Sequence, residues 1–226
     1  MGCQAARMTE PGWPLVELRR YTLRAGARER FVDLFETELI ESQEDVGLRV
    51  GGIFADLDRP DMFVWLRGFA AGVDPATALK AFYSGPVWAR HGPAANALMV
   101  DSDNVFALRP VPGVAGPPAP SGLRAPVGAT VTPDYRVLAG VVLADSDPEA
   151  LRDGLVATLG VPVGVLRNDR SPNYFPPLPL RDEPAVAWFA TLDEARLDAA
   201  AAAAARHLDG VPNDVLRLVP TPRASR

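Results

Sequence analysis

The order of hydrophobic periodicities is what most constrains this chain: strand, helix, strand, strand, helix, strand, then a proline-rich stretch, then the same order again. In "PLVELRRYTL", residues 14 to 23, Val16 and Leu18 fall on one face and Glu17, Arg19 and Tyr21 on the other, as in a strand. In "ARERFVDLFETELIESQEDV", Phe31, Leu34, Phe35 and Leu39 recur at helical spacing, an apolar stripe that needs a sheet to cover. Gly47 ends that helix, and "LRVGGIFADLDRPDMFVWLRGFA" reads as strands over 48 to 55 and 62 to 69, turned at Asp58, Arg59, Pro60 and Asp61. A second helical region covers 74 to 98, broken near Ser84, Gly85 and Pro86 and perturbed at Gly92 and Pro93; "NVFALRPV" closes the unit as a strand.

Residues 112 to 132 are so rich in Pro, Gly and Ala that no periodic face survives, which marks a linker. The order then restarts. "YRVLAGVVLA" is a strand, and Ser146 with Glu149 reads as a capping box for a helix that Gly160 stops. "VPVGVLR" and "AVAWFAT" are strands, Thr191 with Glu194 opens an alanine-rich helix to His207, and "DVLRLVP" is the last strand. The expected class is α+β, two tandem ferredoxin-like βαββαβ units forming a dimeric α/β-barrel-type structure. The expected boundaries are an unstructured 1 to 12, a first unit at 13 to 111, the linker at 112 to 132, a second unit at 133 to 220 and a tail at 221 to 226. Each unit covers one sheet face with helices and leaves the other bare. Two bare faces bury each other, either within one chain as an internal pseudo-dimer or between chains of a homodimer.

Composition narrows the function. A net charge of −5 without a basic run argues against a nucleic-acid groove, and no apolar run is long enough to span a bilayer. The single cysteine, Cys3, excludes an intramolecular disulfide and a thiolate zinc site. "MGCQAARM" carries Ala6 where an acylation signal wants Ser or Thr, so a cytoplasmic protein is expected. No G-x-S-x-G, G-x-x-x-x-G-K-[ST] or G-x-G-x-x-G motif occurs at the junction it would need.

"VELRRYTLRAG", "VGGIFADL", "FVWLRGFA" and "FYSGPVWARHGPAANALMVDSDNVFALRP" stand here in one order. Together they resemble the NIPSNAP family, within the dimeric α/β-barrel (ferredoxin-like) superfamily, over residues 14 to 110. The second half resembles a diverged copy and carries "RNDRSPNYFPPLPLRD", residues 167 to 182, as an insertion that could reshape a pocket. The resemblance implies the fold and leaves the chemistry open. The superfamily holds cofactor-free monooxygenases, cyclases and dehydratases acting on small aromatic or polyketide substrates, haem proteins, and members with no assigned chemistry.

Two groups of residues are candidates. Trp88 and His91, three apart on a helix, can present an indole wall and a proton-transferring imidazole; a half-buried structural histidine and a haem ligand are the competing readings. On the first strand Glu17, Arg19 and Tyr21 face Phe63, Trp65 and Arg67 of the hairpin partner, with both rows expected to point into the barrel. There an arginine anchors an anionic ligand oxygen, Tyr21, Glu17 or His91 moves a proton, and Phe63, Trp65 and Trp88 orient a flat molecule. The plain alternative is an ion pair of Glu17 with Arg19 or Arg67 that holds the interface. Asp101 to Asn104 read as turn chemistry, and no metal ligand set accompanies them. The expected function is a cofactor-independent enzyme of the cyclase, isomerase or dehydratase type, with no cofactor or metal, acting on a small aromatic or polyketide-like molecule in the barrel interior. A non-catalytic ligand-binding or scaffold protein, a haem protein and a cofactor-free monooxygenase are the alternatives.

Overall fold

The computed structural model of the chain describes residues 13–112, 114 and 124–224. The expected N-terminal tail with Cys3, much of the linker and the last two residues lie outside the described residues. In the first half β1 (Leu15–Leu23) leads to α1 (Arg28–Leu34), which continues through a π-helical turn (Phe35–Leu39) into α2 (Ile40–Glu44). β2 (Leu48–Asp56) and β3 (Met62–Phe69) form the hairpin, α3 (Pro75–Tyr83) and α4 (Pro86–Leu98) follow, and β4 (Met99–Pro110) ends the half. The second half comprises β5 (Tyr135–Val142), α5 (Pro148–Leu159), β6 (Val163–Asn168), β7 (Val186–Asp193), α6 (Glu194–His207) and β8 (Asn213–Pro220).

The eight strands close into one barrel within the chain, in the order β1-β3-β2-β8-β5-β7-β6-β4. The halves are joined by two short antiparallel seams, Phe54–Asp56 on Leu218–Pro220 and Leu108–Pro110 on Leu166–Asn168. Each seam pairs three residues of each strand, so closure rests on short stretches at the ends of β2 and β4. One end of the barrel is filled by Arg20, which donates to Asp214 at 2.6 Å and Asn104 at 3.0 Å, with the Arg181 guanidinium 4.6 Å from the Phe106 ring beside it.

Alternation along every strand makes two environments. Val16, Leu18, Val64, Leu66, Phe106, Leu108, Val137, Ala139, Leu166, Phe189, Leu216 and Leu218 belong to one buried cluster that draws on all eight strands and on no helix: this is the barrel interior, apolar apart from the end that Arg20 enters. The opposite faces pack under helices, Tyr21, Phe63 and Trp65 with α1 to α4, and Leu138, Val142 and Trp188 with α5 and α6. The expectation that Glu17, Arg19 and Tyr21 point into the barrel, with Phe63, Trp65 and Arg67 opposite them, is therefore corrected. Val16 and Leu18 occupy the interior with apolar residues of the other strands, and Arg20, next on the same face of β1, is paired by Asp214 at the barrel end. The polar row turns to the helical layer.

Three local expectations shift as well. Asp147 rather than Ser146 caps α5, accepting from the Glu149 N–H at 3.0 Å, because Pro148 takes the first helical position. β7 runs on to Asp193, so Thr191 is strand and not cap. Asp101 to Asn104 belong to β4 and not to a turn: the register against β1 slips between Arg20 and Thr22, and the Asp101 carboxylate accepts from the Asp103 N–H at 2.8 Å within that bulge.

Candidate functional site

Cross-strand register assembles the site. Glu17 lies opposite Arg67, Arg19 opposite Trp65, and Tyr21 opposite Phe63. The second half holds a natural control for this arrangement, because β5 and β7 pair in the same way. There the corresponding pairs are Leu138 with Ala190, Gly140 with Trp188, and Val142 with Val186. Trp188 lies so close over Gly140 that an added Cβ would meet its Nε1 at 2.5 Å. Where the second half sets Leu138, Gly140 and Ala190 around Trp188, the first half thus sets Glu17, Arg19 and Arg67 around Trp65.

Glu17, Arg19 and Arg67 are 1%, 2% and 0% exposed. The Glu17 carboxylate accepts from Arg67 Nε at 2.9 Å and Nη2 at 2.6 Å, from Arg19 Nη1, and from the Tyr174 hydroxyl at 2.5 Å. Trp65 is shared between the cations, its ring 5.7 Å from the Arg19 guanidinium and 5.6 Å from that of Arg67. Burial pushes the Glu17 carboxyl up, but Arg67 and Arg19 outweigh it and hold its pKa below the ordinary value. Glu17 is thus held ionised, with both carboxylate oxygens engaged. With two guanidinium groups against one carboxylate, the buried cluster carries one unit of excess positive charge.

That charge is relayed to two phenols. Arg19 Nε donates to the Tyr21 hydroxyl at 2.8 Å, and Arg67 Nη1 to the Tyr83 hydroxyl at 3.2 Å. Each phenolic oxygen therefore spends a lone pair on an arginine and, among the described residues, keeps its own proton for another acceptor. Burial raises the Tyr21 pKa more than Arg19 lowers it, so Tyr21 is a proton donor near neutrality.

Tyr21 and Tyr83 both line a cavity between the sheet and the helices, with about 30 Å³ open to the centre of a water molecule. Its remaining wall is Phe31, Phe35, Leu39, Gln43, Trp65, Phe82, Trp88, Ala95 and Met99. The helices are shaped for this wall. The π turn at Phe35–Leu39 breaks the usual carbonyl pattern; Gln43 Nε2 takes the Leu39 carbonyl at 2.7 Å, and Arg223, from beyond β8, takes that of Glu36. α4 runs through Pro93, and Gly92 makes room for the Trp88 indole, which a Cβ would meet at 2.7 Å.

The expected residues are thus distributed unevenly. Tyr21, Trp65 and Trp88 line the cavity, Glu17, Arg19 and Arg67 stand behind its tyrosines, and Phe63 is buried in the aromatic stack, 4.9 Å from Phe31 and 5.2 Å from Phe35. His91 is apart: it faces Glu38 at 3.5 Å with 21% of its side chain exposed, because α4 turns Trp88 inward and His91 along the helix surface. Sequence reasoning passed over Tyr83, Gln43 and Tyr174. The last comes from the 167–182 insertion, which folds back over the first half: Tyr174 packs on Phe69 with ring centroids 5.7 Å apart, and Phe175 stacks on Tyr83 at 5.9 Å.

No protein-family model matches the chain. No curated protein matches it either. Solved structures do. A candidate monooxygenase from Lactobacillus acidophilus is similar over 95% of this chain and 98% of its own, at 13% identity and a TM-score of 0.52. An anthrone oxidase-like protein is similar over 92% and 91%, at 14% identity and a TM-score of 0.52. NIPSNAP family proteins are among the similar structures too, one from Agrobacterium tumefaciens at 23% identity over 44% of this chain and 94% of its own, with a TM-score of 0.40. The whole-chain likenesses show the shared α+β barrel fold.

Proposed function

We propose that the first half binds a small aromatic molecule carrying an acidic or enolisable oxygen, and that it stabilises the anionic form of that oxygen. The observation that carries this reading is the excess buried positive charge, passed through Arg19 and Arg67 to two phenols on an aromatic cavity. Hydrogen-bond donors fixed in a dry site and backed by cations favour an anion far more than they do in water. The cavity as it stands, about 30 Å³, has room for a water-sized group, so a ring-sized ligand enters only as the aromatic side chains lining it move apart. The sharing of this fold with proteins described as monooxygenase candidates or anthrone oxidase-like fits an aromatic ligand.

As chemistry, the arrangement serves to hold the enolate or phenolate oxygen of a ligand that gives its proton to solvent, with the Tyr21 and Tyr83 hydroxyls donating hydrogen bonds to that oxygen. A non-catalytic binding role is the second reading, favoured by one observation: Glu17 is saturated and His91 lies elsewhere, so neither stands ready as a base at the cavity. Both readings require the same binding step. Titration of tryptophan fluorescence with benzoate and with benzyl alcohol is expected to show at least about 10-fold tighter binding of the anion, and Tyr21→Phe and Tyr83→Phe each to weaken benzoate by about 10-fold, as for hydrogen bonds to charged groups. Equal binding of the neutral alcohol, or no effect of either substitution, contradicts it.

A further inference from the structure

The 167–182 insertion is tied down at its two ends and held on the first half in the middle by side chains. At the base the Asp169 N–H donates to the Ala107 carbonyl at 2.6 Å and the Arg181 N–H to that of Val105 at 2.8 Å, so both ends meet β4 between Val105 and Ala107. Asn168, 6% exposed, closes the base by donating to the carbonyls of Arg181 at 3.2 Å and Glu183 at 2.9 Å. Between these ties the loop bonds to itself: the Asn173 amide donates to the Leu178 carbonyl at 2.8 Å, and the Leu178 N–H to the Phe175 carbonyl at 2.9 Å. With Pro172, Pro176, Pro177 and Pro179 fixing φ, it is a stiff Ω-shaped loop with adjacent ends.

Among the described residues, 170 to 180 make one hydrogen bond to the first half, from the Tyr174 hydroxyl to Glu17 Oε1 at 2.5 Å. Beside it stand two ring contacts, Tyr174 on Phe69 and Phe175 on Tyr83. What they cover is the site: Tyr83 lines the cavity and accepts from Arg67. We infer that residues 170 to 180 are a hinged strap that gates this site, latched by the Tyr174 hydroxyl on Glu17; a ring-sized ligand passes Tyr83 when the strap lifts and is enclosed when it shuts. The ligand is that of the reading above, on which this regulation of the same site rests. A loop tied at both ends lifts by turning about its ties, and no backbone bond to the barrel has to break. Loss of the latch favours the lifted state, because the three arginine bonds to Glu17 all end on Oε2: without the Tyr174 hydroxyl, Oε1 is bare while the strap is shut and meets water when it lifts.

The test follows benzoate binding to the full chain by stopped-flow tryptophan fluorescence, and chymotrypsin cleavage after residue 174 in the ligand-free protein. Tyr174→Phe is expected to raise the association and dissociation rate constants together, each about 10-fold, and to leave the Kd within about 2-fold, because the latch holds the strap over the empty and the filled site alike. A merely loosened fold speeds dissociation alone and weakens binding. Cleavage after residue 174 is expected to be about 10-fold faster in Tyr174→Phe, since phenylalanine serves this protease as well as tyrosine and the rate follows the lifted population. Phe175→Ala, which frees the strap from Tyr83 without touching the charge cluster, is expected to move both readouts the same way and decides the matter should Tyr174→Phe fail to fold. If benzoate binds with unchanged rates in both variants, or its Kd rises in step with dissociation, the strap is overturned and the anion site stands. If benzoate does not bind, the anion site is overturned, and equal cleavage rates in all three proteins overturn the strap as well.

Discussion

Glu17→Gln is expected to lose about 3–5 kcal/mol of folding stability, measured by denaturant unfolding, because it leaves two fully buried guanidinium groups without a counter-charge. The reason is local and complete. Glu17 takes three arginine N–H bonds and the Tyr174 hydroxyl, and among the described residues it is the carboxylate that pairs with both Arg19 and Arg67. Gln keeps the shape but can accept fewer of these bonds and offsets no charge. The same residue sets an acid limit. Its folded pKa lies below its ordinary 4.5, so its contribution is whole above that value and is lost as the pH falls through the depressed folded pKa. Glu17→Gln is therefore expected to show a shallower loss of stability in that acid range than wild type.

Replacing the cluster as a whole separates structure from function. Glu17→Leu, Arg19→Met and Arg67→Met together are expected to recover most of what Glu17→Gln loses, roughly 3 kcal/mol, since apolar groups of similar volume commonly replace buried ions without cost. The same triple variant is expected to lose at least about 100-fold in benzoate affinity, because the charge behind Tyr21 and Tyr83 is gone. A stable triple variant with undiminished affinity would reduce the arginines to scaffolding. The second half shows that this fold does not need them, since Leu138, Gly140 and Ala190 occupy the equivalent positions beneath Trp188.

The hydrophobic pattern made most of this architecture legible. The hairpin at 58 to 61, the break before Pro86 and the repeat of the element order follow from periodicities of two and 3.6 and from turn residues. Alternation also placed Glu17, Arg19, Tyr21, Trp65 and Arg67 on one sheet side. It could not say which side is the barrel interior, because both faces are buried and the difference lies in what closes over them. His91 drew notice as a rare residue type, yet its direction depends on the helix phase that Gly92 and Trp88 set. Tyr174 was hidden for another reason: its partner Glu17 is 157 residues away, and only the fold of the insertion brings them together. Gln43 could not be singled out before the π turn beneath it was known.

The most direct measurement uses 4-nitrophenol, which is yellow as the phenolate and nearly colourless as the phenol. The protein is added at a pH where the free compound is mostly protonated, and the visible spectrum is followed. A site of excess positive charge with two phenolic donors lowers the pKa of a bound phenol. The phenolate band should therefore grow to saturation with added protein, and should not grow with the triple variant. Binding without the band, seen as tryptophan quenching alone, would show that the cavity takes the neutral molecule and would contradict an anion-stabilising site.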